Sequence, residues 1–294
     1  MFESAYSPAG LSIKAFGLAA VVGMIYAAFD AQVPTPASAQ TAIPELATSG
    51  FAWQAFGADW RDPPAGLRGP IKPHPKHPYH GNNDGPGQVT VRIGNDTDPV
   101  LKPWAAQQMR ESNEEILTGK RAEGFMAQSR CYPGGVPAQL LYVAEPVYFI
   151  QRPTQVLMIW QRDHMVRRIY LTDKHSSDIK HSWFGESIGH YENGDTLVVD
   201  TIGLSTRLSY IDNWRTPHSE QLHVIERFKL SADKRTLEAL VKVEDPGAFN
   251  EPMFMVQRWR RVTNPLAETV CAENNVDFFN QNLIPIPKAT RPDF

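Results

Sequence analysis

From Glu145 onward, apolar and polar positions alternate in short runs. Val147–Arg152, Gln155–Arg162, Val166–Leu171, Glu186–Tyr191, Thr196–Leu204, Gln221–Leu230, Thr236–Asp245, Phe254–Val262 and Glu268–Cys271 are rich in Val, Ile and aromatic residues. Period two with those residue types predicts strands. Pro153-Thr154, Glu192-Asn193-Gly194-Asp195 and Ala232-Asp233-Lys234 read as hairpin turns. No helical crossover separates the strands, so they are expected to form an antiparallel meander. Eight or nine such strands can close on themselves, giving an all-β, up-and-down barrel of lipocalin type. A β-sandwich is the alternative. Two longer loops, Thr172–Gly185 and Ser205–Glu220, interrupt the meander, and loops of that length tend to carry function.

The texture before the barrel differs. Twelve of the 24 prolines fall between Pro34 and Pro103, and residues 40–102 read as an extended strap. Pro103–Leu117 reads as one helix ending by residue 118. Pro suits its first position, and Trp104, Met109 and Ile116 form the expected buried stripe. The predicted organisation is thus strap and helix over residues 40–130, barrel over 131–275 and a tail over 276–294.

The N-terminus predicts export. Lys14 precedes an apolar run from Ala15 to Phe29, and Ala37-Ser38-Ala39 follows. Fifteen helical residues reach roughly 22 Å, short of a ~30 Å bilayer core. Residues 1–39 therefore read as a signal peptide cleaved after Ala39, into the periplasm or beyond. Formal net charge is −3, and −2 without the leader, with no basic run. Nucleic acid is not an expected partner. In an oxidising compartment, the two cysteines, Cys131 and Cys271, are expected to form one disulfide.

Charged and titratable residues inside the strands are the candidates for chemistry. In Leu222–Phe228, the apolar majority Leu222, Val224 and Phe228 shares a face with Glu226, which should point inward. A buried carboxylate has a raised pKa unless paired. It is either a functional acid or half of a structural Glu–Arg pair. His218 and Glu220 lie where the long loop enters this strand and could form an acid/base pair. With His223 their spacing also resembles a two-His-one-carboxylate metal face, although His223 points away in a straight strand. Asp200 interrupts an apolar strand beside Val198 and Ile202. Arg168 alternates with Val166 and Tyr170, and Arg258 with Phe254 and Val256, suggesting an ion-pair network or a floor that holds an anion.

Two further patterns invite chemistry. His74, His77 and His80 recur every third residue between prolines. In polyproline II that spacing separates neighbouring Cα atoms by about 9 Å, too far for one zinc to reach all three, so the segment reads as a docking strap. Gly185-Glu186-Ser187-Ile188-Gly189 matches the letters of a hydrolase elbow, but a strand follows it rather than a turn and helix. No phosphate loop, dinucleotide fingerprint or CxxC pair is present in the sequence.

At Val166–Leu171, Ser187–Thr201, His218-Ser219-Glu220, Glu226-Arg227-Phe228, Asp245-Pro246-Gly247 and Cys271–Asn275, the chain resembles a largely uncharacterised family of secreted bacterial proteins from soil bacteria and sphingomonads. The resemblance spans roughly residues 125–275. It implies kinship to cofactor-independent lyases or decarboxylases that break down lignin-derived aromatics, and so an aromatic carboxylate substrate. It supplies no catalytic residues. The expectation is therefore an exported lyase with no cofactor and no metal. His218 and Glu226 would move the proton, with Asp200 and Glu220 orienting them. Arg168 or Arg258 would hold a carboxylate, with Trp160 and His190 as further substrate contacts. The alternatives are a non-catalytic carrier of a hydrophobic ligand and a metal-dependent hydrolase using His218, Glu220 or the histidine strap.

Overall fold

The computed structural model describes residues 44–46, 50–79, 92–118, 131–143, 145–207, 209–263 and 266–271. The predicted signal peptide, the C-terminal tail and His80 lie outside the described residues. Nine strands close into a barrel in sequence order: β1 (Ala52–Ala55), β2 (Val147–Arg152), β3 (Gln155–Trp160), β4 (Val166–Tyr170), β5 (Glu186–Glu192), β6 (Thr196–Ile202), β7 (His223–Leu230), β8 (Thr236–Glu244) and β9 (Met253–Val262). Helix α1 covers Pro103–Leu117.

Two features of the strand order depart from the sequence expectation. The ninth strand is β1, from the Pro-rich segment. It pairs with β9 over four residues and meets β2 at Trp53, which closes the barrel and leaves no free edge. Glu268–Cys271 forms no strand. Instead its backbone is tied to the 162–164 turn, where Asp163 N–H donates to Thr269 O and the Asp163 carboxylate accepts from Cys271 N–H. The second departure is a parallel seam. β4 and β5 run the same way, with Ile169 opposite Ser187 and Tyr170 opposite Ile188. Parallel neighbours need a long crossover, and the Thr172–Gly185 loop supplies it without a helix.

Alternation settles which side chains fill the barrel. Aromatics fill one end, with Phe228 edge-on to Phe149 at 6.0 Å and 6.1 Å from Trp259. Gly189 on β5 faces inward where an added Cβ would stand 2.9 Å from both Ile169 and the Val198 carbonyl. Only glycine leaves room there for the neighbouring strands' side chains. Outside the wall, α1 buries Ala105, Met109 and Asn113. This stripe is rotated from the expected one: Trp104 is exposed and its indole N–H donates to Gly247 O. Cys131 and Cys271 form the expected disulfide, joining the segment before β2 to the one after β9.

The histidine strap is a turn rather than an extended rod. His77 N–H donates to His74 O, bringing the two rings to 5.2 Å. A Pro73–Gly94 bridge and an edge-on Tyr79–Trp214 contact dock the segment, as a strap should.

Candidate functional site

The only inward charges named from sequence and found inside the barrel belong to Glu226. It is fully buried and paired with Arg167, itself 1% exposed. The guanidinium contacts both carboxylate oxygens, one at 2.8 Å. Its Nε donates to Ser187 Oγ at 3.1 Å and its Nη2 to Thr201 Oγ1 at 2.8 Å. This is a closed structural network. Every inward neighbour that could open it to substrate is itself packed: Val199 and Val241, opposite Glu226 in register, are both at 0% exposure.

Arg168 is therefore not the inward arginine. On β4 the buried positions are Arg167 and Ile169, and Arg168 faces out beside Tyr170. Arg258 is likewise exposed and pairs with Glu238 at 2.6 Å, while Trp259 takes the inward position. His190 is outside, 3.1 Å from Glu192. Trp160 is core, stacked on Phe184. Arg168, Arg258, His190 and Trp160 do not converge on any common site.

His218 and Glu226 do not meet either. His218 is 4% exposed, and its Nδ1–H donates to Ser219 O at 2.9 Å. Burial pushes its pKa below 6.5, against weaker help from that carbonyl and from Asp245. A neutral imidazole walled off from solvent suits structure rather than proton transfer. The loop around it is clamped by Asp245, whose carboxylate accepts from Ser219 N–H and Oγ and from Gly247 and Ala248 N–H. Glu220 follows, exposed on the loop.

Asp200 is the one proposed catalytic residue that stands in a reactive setting, and it stands outside the wall rather than within it. On β6 the inward side chains are Leu197, Val199 and Thr201, so Asp200 projects outward, half-buried. One of its carboxylate oxygens faces two imidazoles: His223 Nε2 at 2.9 Å and His175 Nε2 at 3.1 Å. Each ring turns its other nitrogen to a second carboxylate. His175 Nδ1 lies 3.0 Å from Glu186, and His223 Nδ1 lies 3.6 Å from Glu244. Five side chains thus alternate, carboxylate and imidazole, across the outer face of β5 to β8.

Local geometry explains the assembly. His223 opens β7 opposite Glu244 on β8. Glu186 opens β5, and its neighbour Ile188 lies opposite Asp200. His175 arrives on the crossover that the parallel seam requires, and Ser176 N–H donates to Glu186 at 2.7 Å to hold it. The side chains around each charge set its titration. The Asp200 hydrogen bond raises His223 above 6.5, outweighing burial. Burial alone would raise Asp200, but hydrogen bonds from His223 and His175 hold it below 3.8. The Ser176 contact holds Glu186 below 4.5. The two shifts keep the proton on the imidazole and the negative charge on Asp200, so the contact is an ion pair that holds His223 as the group able to give a proton.

The array borders open space. A cleft of about 410 Å³ is lined by His223 and Glu244 together with Gln221, Asp245, Phe249 and Asn250. Its polar lining is acidic and amide-bearing, and its apolar lining is Pro246, Pro252 and the largely buried Phe249. No protein-family model matches the chain, and no curated protein matches it. Among the described residues no group of three or more His, Cys, Asp or Glu is placed to hold a metal ion, so His218, Glu220 and His223 do not form the metal face their spacing suggested. Sequence reasoning missed His175, Glu186 and Glu244. The available signal was the long crossover, which carries a histidine and a carboxylate at its two ends.

Proposed function

We propose that this chain is an exported, cofactor-independent acid–base enzyme of the lyase class, acting on a hydroxylated aromatic small molecule in the cleft beside His223. The observation that carries the reading is Asp200 bridging two imidazoles at the wall of that cleft. His223, which lines the cleft, exchanges the proton with substrate. Asp200 fixes the ring and its charge, and His175 with Glu186 holds Asp200. In a carbon–carbon cleavage the base takes the hydroxyl proton, the C–O bond becomes C=O as the C–C bond breaks, and the acid returns a proton to the released carbon. The resemblance to lyases of lignin-derived aromatics supports the reaction class. The acidic cleft favours a hydroxyl group over the carboxylate that the sequence placed in the barrel cavity, because neither Arg168 nor Arg258 lines it. The disulfide supports an oxidising, exported setting, and cleavage after Ala39 into the periplasm completes the proposal.

A closed β-barrel is also consistent with a ligand-binding barrel of lipocalin type. The carrier reading gains less support, because the inward side chains Glu226, Arg167, Phe228 and Trp259 are all at 2% exposure or less. The test is a panel of hydroxylated aromatic monomers and dimers assayed with metal-stripped mature protein. Asp200→Asn and His223→Asn should each lose turnover by about 10²-fold or more, and His218→Ala should keep it. Full activity in both relay variants would refute the assignment, and a requirement for added metal would favour the hydrolase alternative.

A further inference from the structure

A second depression lies on the opposite end of the β7–β8 hairpin. It is an open groove of about 660 Å³, lined by Phe56, Arg61, Lys229, Leu230, Glu238 and Arg258 among others. His223 and Lys229 are six residues apart on β7, so the groove begins roughly 20 Å from the histidine array at ~3.3 Å per residue. It is a separate site.

Its chemistry differs from the acidic cleft in three respects. First, Phe56 is 50% exposed. It directly follows β1, and its N–H is pinned to Arg258 O at 2.9 Å, so its backbone is fixed beside Arg258. Second, Arg61 is fixed by its backbone, which exchanges two hydrogen bonds with Val256. Among the described residues its guanidinium has no hydrogen bond or ion pair. Third, the charge is one-sided. Arg61, Lys229 and Arg258 line it with a single acid, Glu238; Lys229 is paired with Asp195 at 3.1 Å, so the two arginines against Glu238 leave a local surplus of one positive charge. Glu238 engages only Nε of Arg258, and the two terminal amino groups of that fork have no other partner among the described residues. A planar apolar wall beside two arginines with unused donors suits a flat ring that carries a carboxylate.

We propose that this groove is a binding site for a small aryl carboxylate, with the ring against Phe56 and the carboxylate on Arg61 and Arg258. The ligand binds as an effector or a captured molecule, away from the acid–base array. Arg258 would thus hold an anion, as its position in an apolar strand first suggested, but on the outer face.

The probe is sodium benzoate, titrated into the full mature protein by ligand-observed NMR, beside neutral benzamide and non-aromatic cyclohexanecarboxylate. Benzoate should bind with a millimolar or tighter Kd, and both comparison compounds about fivefold or more weakly. Phe56→Ala and Arg61→Ala, both at exposed positions, should each weaken benzoate by about fivefold or more and leave the fold intact by circular dichroism. In a protein-observed NMR titration of the same protein, displaced resonances should include Leu230 and Ala232 and spare His223. Benzoate binding that neither variant changes would overturn the site. Equal binding of benzamide would overturn the anion contact, and equal binding of cyclohexanecarboxylate the ring contact. No saturable binding up to about 10 mM benzoate would overturn the proposal as a whole.

Discussion

Replacing Glu226 by Gln separates structure from catalysis in this barrel. The pair it breaks is at 0% and 1% exposure, and the residues opposite Glu226 on both flanking strands are valines. Gln conserves volume but removes the negative charge. It leaves Arg167 buried with a neutral partner and turns one acceptor oxygen into an NH₂ donor facing donors. Ser187 and Thr201 still accept from the guanidinium, but they carry no charge. Breaking a buried pair from one side costs about 3–5 kcal/mol. At ~2–4 °C per kcal/mol for a domain of this size, Tm should fall by roughly 6–20 °C. The assay is thermal and urea unfolding of the mature protein followed by circular dichroism. The single variants Arg167→Met and Glu226→Met with the double variant Arg167→Met/Glu226→Met form a complete cycle. The double variant should be more stable than the worse single variant, because no uncompensated charge remains. A Glu226→Gln protein within about 1 kcal/mol of the parent, or strict additivity across the cycle, would refute the structural assignment. A stable Glu226→Gln protein that had lost turnover would return Glu226 to the catalytic machinery.

The pH dependence of stability should follow His223 and Asp200. His223 is held above its unfolded value of 6.5, so its contribution is complete below pH 6.5 and is lost as pH rises through the folded-state value. Asp200 is held below 3.8, so its share is complete above pH 3.8 and is lost as pH falls through its folded-state value. In an NMR titration Asp200→Asn should lower the His223 pKa; an unchanged value would show that the contact does not control it. His218 works in the opposite sense, its pKa being depressed by burial: its contribution is complete above pH 6.5 and shrinks on acidification, which His218→Asn should remove from the stability profile. The disulfide closes a separation of 140 residues, and Cys131→Ser/Cys271→Ser should cost about 5 kcal/mol in the chain-entropy model, measured by urea unfolding. Gly189→Ala should destabilise by about 1–3 kcal/mol by overpacking the wall between β4 and β6; a neutral result would show that the strands yield there.

Eight of the nine strands follow from alternation and residue type; most have one packed face and one wetter face, while β6, buried from Thr196 to Val199, follows from its apolar run. β1 follows from neither. Its four residues lie in a Pro-rich segment and pair with β9 some two hundred residues later, so nothing local marks them as a strand. The parallel seam was hidden for a related reason. A helix-free connection suggests a hairpin, and only the length of Thr172–Gly185 carried the contrary information. That misreading is why His175 was not seen as a neighbour of Asp200: an antiparallel β4–β5 pair needs no chain crossing the outer face.

The errors over charge have one physical source, and it could have been corrected from the sequence. In Val166-Arg167-Arg168-Ile169-Tyr170 the apolar residues favour the face that carries Arg168, by Val166 and Tyr170 against Ile169. Those two are in fact 48% and 41% exposed. Glu226 breaks the tie. Three apolar companions place it inward, and an inward carboxylate in a packed barrel requires a cation to meet it. That cation must come from a position whose own neighbours are buried, which selects Arg167. The same reasoning runs the other way for Asp200. Once Glu226 has consumed Arg167, no other cation points inward from the described strands for a second acid. Asp200 must then look outward, and the groups that can reach it there are His223 on the adjacent strand and the histidine on the crossover. Charge balance inside the barrel thus places the acid–base array outside it.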